Sequence, residues 1–112
     1  GDASTARRAY QAATDAWPEH AMAWLGLGNT SYAAGELDAA RTAYETSVSL
    51  DEQNVIAMSN LSQVYFELGC VGEASATIRK ALALVDSSDP YYGHMQQMLA
   101  DISAKTQTAI CQ

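Results

Sequence analysis

At 112 residues the chain has the length of one domain, and 48% apolar against 17% charged residues marks it as globular, not disordered. Thirteen acidic against six basic residues give a formal charge of −7, which argues against nucleic acid and an acidic membrane surface as partners, since both need a basic face. No run of about 18 apolar residues is present to span a bilayer, and Gly1-Asp2-Ala3-Ser4 lacks the basic-then-apolar opening of a signal peptide.

The first predicted element is a helix over residues 3–16, with Ala6, Tyr10 and Ala13 on one stripe and Pro18 as its stop. The second covers 21–34, with Trp24, Leu27 and Gly28 inward and Gly35 as a left-handed terminator. Gly28 lets a partner helix come close. Gly26, costly inside a helix, implies the close approach of a backbone or ligand. The third covers 37–50, striped by Leu37, Ala40, Ala43, Tyr44, Val48 and Leu50. The pattern then returns over 55–68 and 71–85, with Leu61, Tyr65, Leu68, Val71, Ala74, Ile78, Ala81, Leu82 and Leu84. In the turn that follows, Asp89 is the expected N-cap and Pro90 the first helical residue. A last helix, to about residue 107, carries Tyr92, Met95, Leu99 and Ile102 on one face.

The step between matching positions is 34 residues: Leu27 and Leu61, Gly35 and Gly69, Ala40 and Ala74, while Tyr65 falls where Ser31 stands. Such a period means stacked supersecondary units. Trp24-x2-Leu27-Gly28, then Ala40-x3-Tyr44, resembles the signature of the tetratricopeptide repeat, and Leu61, Tyr65, Ala74 and Ala81 carry its second copy. The resemblance implies an all-α, right-handed superhelical array of helical hairpins, counted as five helices. The expected division is 1–20 as the second helix of a truncated repeat, 21–54 and 55–88 as full repeats, and 89–112 as a capping helix. The missing first helix is expected upstream of Gly1, leaving an apolar flank on the helix over 3–16.

Chemistry is sparse. Cys70, His20 and His94 are the only candidates for a nucleophile and base, and no motif orients them. His20 reads as a loop residue. Gly26-Leu27-Gly28 lies inside a helix, so it is no phosphate loop. His and Cys never recur at metal-ligand spacing, and no cofactor is implied. Cys70 and Cys111 read as free thiols; a bond between them requires the end of the chain to fold back to the turn at Cys70. The expectation is a non-enzymatic module.

Binding is expected on the faces of the first helices that lie out of phase with the core. Those faces carry Met22, Leu25, Asn29 and Tyr32, then Ile56, Ser59, Asn60, Gln63 and Phe66, then His94, Gln97 and Asp101. Asn29, Gln63 and Gln97 are in phase, and side-chain amides can donate to and accept from a peptide backbone. The groove positions on these helices carry no Lys or Arg, which argues against the carboxylate-clamping subclass of the repeat. The negative charge favours a neutral or basic protein or peptide partner. The alternative is a structural role, with apolar ends of the array driving self-association or docking to a larger enzyme.

Ala9-Tyr10-Gln11-Ala12-Ala13, Trp17-Pro18, Ala23 to Asn29 and Tyr32 to Leu37 also resemble the repeat tail of bacterial papain-like, double-glycine-type cysteine peptidases of the cell envelope. That resemblance implies an upstream peptidase domain and a bacterial envelope location. It also implies that Cys70 and His94 are not the catalytic pair.

Overall fold

A computed structural model describes residues 3–105. These form six helices: α1 (Ala3–Ala16), α2 (Ala21–Ala33), α3 (Leu37–Leu50), α4 (Val55–Glu67), α5 (Val71–Ala83) and α6 (Tyr92–Ser103). No strand occurs among the described residues. The expected count of five was short by one, because an unpaired helix, two hairpins and a final helix make six. Two compact units divide the chain, residues 1–52 and 53–112.

In the first unit α2 packs against both α1 and α3. The α2 helix starts because His20 caps it: His20 Nδ1 accepts from the Ala23 N–H at 3.2 Å. His20 is therefore a capping residue, not a simple loop residue. The helix ends at Gly35, whose φ of 79° is the left-handed conformation a side chain disfavours. There the Glu36 N–H reaches back to the Ser31 carbonyl at 2.9 Å, closing a carbonyl the helix would leave open. Asn54 and Gly69 repeat these devices on α4. Asn54 Oδ1 accepts from the Ala57 N–H at 3.0 Å. Gly69 has φ 83°, and the Cys70 N–H donates to the Tyr65 carbonyl at 2.8 Å.

The α2–α3 hairpin closes on a glycine. A Cβ at Gly28 would lie 2.5 Å from the Tyr44 ring, so the aromatic sits directly on the α2 backbone. Ala40, Ala43 and Tyr44 are buried beside it. The buried Ser47 hydroxyl donates to the Ala21 carbonyl at 2.9 Å. Gly26 is used in the same way from the other side, where a Cβ would collide with the Tyr10 ring of α1. The close approach expected at Gly26 is thus made by the aromatic side chain of Tyr10, where a backbone or ligand was anticipated.

The matching positions of the second unit carry different residues. Ser62 stands where Gly28 stood, and Ile78 where Tyr44 stood. Both are fully buried, and the Ser62 hydroxyl donates to the Ala74 carbonyl at 2.7 Å. The α5 helix packs against α4 and α6, and α6 also touches α4. Met95, Met98 and Ile102 of α6 are buried. The α6 helix begins two residues later than expected. Asp89 Oδ1 accepts from the Tyr91 N–H at 2.8 Å, forming a turn in which Pro90 lies outside the helix.

Candidate functional site

The residues assigned to a binding face fall into three groups. Met22 (56% exposed), Tyr32 (37%) and Ile56 (42%) are large apolar side chains left open to solvent. Asn29, His94, Gln97 and Asp101 are also exposed, and Asn60, Gln63 and Phe66 are half-buried. Leu25 departs from expectation: at 6% exposure it is part of the core and presents no open surface. Ser59 is half-buried and its hydroxyl is turned to the Met98 sulfur of α6 at 3.4 Å.

The three in-phase amides all have partners within the chain. The Tyr44 hydroxyl donates to Asn29 Oδ1 at 2.6 Å. Gln63 Nε2 donates to Glu67 at 2.8 Å, and Gln97 Nε2 donates to Asp101 at 2.9 Å. Both glutamines are therefore held by a carboxylate one helical turn on. That local pairing fixes their rotamers and sets an acid beside each. Sequence reasoning saw the amides but missed these acids as their partners, although the four-residue spacing of Gln63 to Glu67 and Gln97 to Asp101 carries the signal.

Lys105, just past α6, places its ammonium 5.6 Å from the centre of the Phe66 ring. The first helices carry no Lys or Arg, as read, yet a cation comes to Phe66 from the chain beyond α6. Cys70 is buried and disulfide-bonded, contrary to its reading as a free thiol. In that state it offers no thiolate. Cys111 lies outside the described residues, as does the expected end of the last helix near 107. His94 is exposed on α6. No group of three metal-ligating side chains is found among the described residues, and none of their helices is long and apolar enough to cross a membrane.

The first unit also holds a cleft. It has a volume of about 570 Å³ and lies among α1, α2 and α3, with Arg7, Arg8, Trp24, Leu27 and Ala43 among its walls. An ion pair from Arg7 to Glu36 ties α1 to the turn before α3 at its edge.

Paired helices closed by a left-handed glycine, recurring at a fixed step, define a helical-repeat protein. The tetratricopeptide-repeat family matches the chain over residues 1–55 and again over 32–102. The chain belongs to that family. Over 56 residues it is 39% identical to the protein STIP1 homolog of Dictyostelium discoideum, covering 50% of this chain but only 10% of that protein. Among solved structures it is similar to the type III secretion translocator chaperone SycD of Yersinia enterocolitica. The TM-score is 0.84 at 20% identity, covering 90% of this chain and 72% of that one. SycD in complex with a peptide of the translocator YopD gives a TM-score of 0.85 at 20% identity, covering 94% and 82%. PcrH of Pseudomonas aeruginosa gives 0.77 at 20% identity, covering 88% and 76%. At that identity the likeness is one of fold.

Proposed function

We propose that this chain is a non-enzymatic binding module that holds a protein or peptide segment against the exposed faces of its first helices. The observation that carries this reading is the exposure of Met22, Tyr32 and Ile56 on those faces, where a folded chain gains nothing by leaving large apolar groups wet. In the second unit, Asn60, Gln63, His94 and Gln97 add polar side chains for contacts to the same partner. A right-handed superhelical winding of the array is part of the same proposal and rests on the repeat period. Solved relatives of the fold include a chaperone bound to a translocator peptide, which supports a peptide as the partner.

Charge selects among peptides. Glu67 and Asp101 stand beside the glutamines, and the whole chain carries −7. A neutral or basic segment is favoured, and an acidic one is repelled. The test is a titration of matched basic, neutral and acidic peptides against the parent chain and the Gln63→Ala, Asn60→Ala and Asn29→Ala variants. Weaker binding by the variants supports the face, and identical binding by all of them rejects it.

Self-association is a second reading. Trp17, 64% exposed, lies with Tyr10 and Met22 around a shallow apolar hollow at the start of the first unit. Sedimentation over a wide concentration range distinguishes it, since a monomer throughout rules it out. Attachment to an upstream envelope cysteine peptidase is supported by the Ala9–Leu37 string alone; the coding sequence preceding Gly1 decides it.

A further inference from the structure

We infer that the cleft of the first unit is a binding site for an aromatic group carrying a carboxylate. This site is separate from the helix faces proposed above. Its volume of about 570 Å³ suits a single ring with a short acid arm. The room comes from one departure within the repeat. Ser31, fully buried at the base of the cleft, stands 34 residues before Tyr65. At the matching point the second unit therefore places a half-buried phenol ring where the first has only a hydroxymethyl group. The repeat itself thus shows what shape of group belongs at this point.

The walls are already set. The Trp24 indole N–H donates to the Pro18 carbonyl at 2.8 Å, which holds the ring as one flat side. Leu27, 7% exposed, adds apolar surface. Arg7, Arg8 and Gln11 line it from α1, and Glu36 and Thr42 from the turn and α3 opposite. Arg7 is neutralised by Glu36, and Gln11 gives its amide to Asp15 at 3.2 Å. Arg8 is exposed and has no ion pair with another described residue. A guanidinium without an ion-pair partner, at the rim of a cleft walled on one side by Trp24 and Leu27, favours a ring that brings its own anion.

The chain has two tryptophans, so a Trp17→Phe background leaves Trp24 as the only indole reporter. In that background the emission of Trp24 is followed while N-acetyl-phenylalanine, N-acetyl-phenylalaninamide or N-acetyl-leucine is added. The free aromatic acid is expected to saturate the signal, and the amide to bind about tenfold more weakly for loss of one charge-assisted contact. Arg8→Gln, a surface change, should bring the acid down to the level of the amide. Ser31→Tyr, checked for helicity by circular dichroism, should abolish the response by filling the cleft from within. A tetrapeptide ending in free phenylalanine distinguishes the sources: binding at least as tight as the small acid points to a chain end, and its exclusion points to a free acid. No response to the acid, an equal response to the amide, or no effect of Arg8→Gln would each overturn the assignment.

Discussion

At Gly28 the Tyr44 ring occupies the space a methyl group would need, within 2.5 Å. Gly28→Ala should therefore destabilise the fold by about 1–3 kcal/mol, although alanine is the better helix former; urea unfolding measures it. Small size at position 28 was legible in the sequence, because glycine inside a helix asks for a close neighbour. The opposite use of Gly26 was legible only in part, since nothing in the pattern says that Tyr10, sixteen residues back, is that neighbour. Leu25 was placed on the wrong side for a related reason: periodicity alone gives a leucine no preference between a binding face and a second buried contact. Further along, the Asp86 carboxylate accepts from the Ser88 hydroxyl and, at 2.9 Å, from the Ser88 N–H. The hydroxyl is the larger cause that holds its pKa below the ordinary 3.8. Because the folded pKa is the lower one, the stabilisation is present above the unfolded value and is lost as pH falls through the folded one. An NMR titration should find the Asp86 midpoint below 3.8, and Ser88→Ala should raise it.

Helix boundaries follow from their caps. His20 and Asn54, 34 residues apart, each accept from the N–H three residues on, and Gly35 and Gly69 end the same helices. Asn54→Ala should cost about 1 kcal/mol of stability, read by thermal or urea unfolding, because it leaves the Ala57 N–H without its acceptor. The glycines were legible from spacing. Histidine as a cap was not, because it is outside the usual capping set and only its Nδ1 geometry reveals the role. The start of α6 was misplaced because Asp89-Pro90 fits two motifs. An Asx turn onto the Tyr91 N–H leaves the proline outside the helix, whereas an N-cap would have put it inside. For the candidate face, the in-phase amides were legible, but their tie to acids one turn ahead needed coordinates. Gln63→Ala removes one amide from this face, so it should bind a basic or neutral peptide about five- to tenfold more weakly than the parent, measured by the same titration.

At the scale of the whole chain, Cys70 was the least legible residue, because a single distant cysteine at 111 gives no spacing from which to argue. Since Cys70 is bonded, it should resist alkylation in unreduced protein even when unfolded, and react after reduction, read by mass mapping of its peptide. Alkylation of Cys70 before reduction would contradict this. The exchange of Gly28 and Tyr44 in one repeat for Ser62 and Ile78 in the next gives each hairpin its own interior. In the first an aromatic ring rests on bare backbone, so any larger residue at position 28 meets that ring at once. In the second the hydroxyl at the matching position is already tied to the Ala74 carbonyl, so removing it strips a hydrogen bond from a buried seam. Equal spacing therefore does not make the two hairpins interchangeable parts, and a segment copied from one into the other must bring its facing residues along.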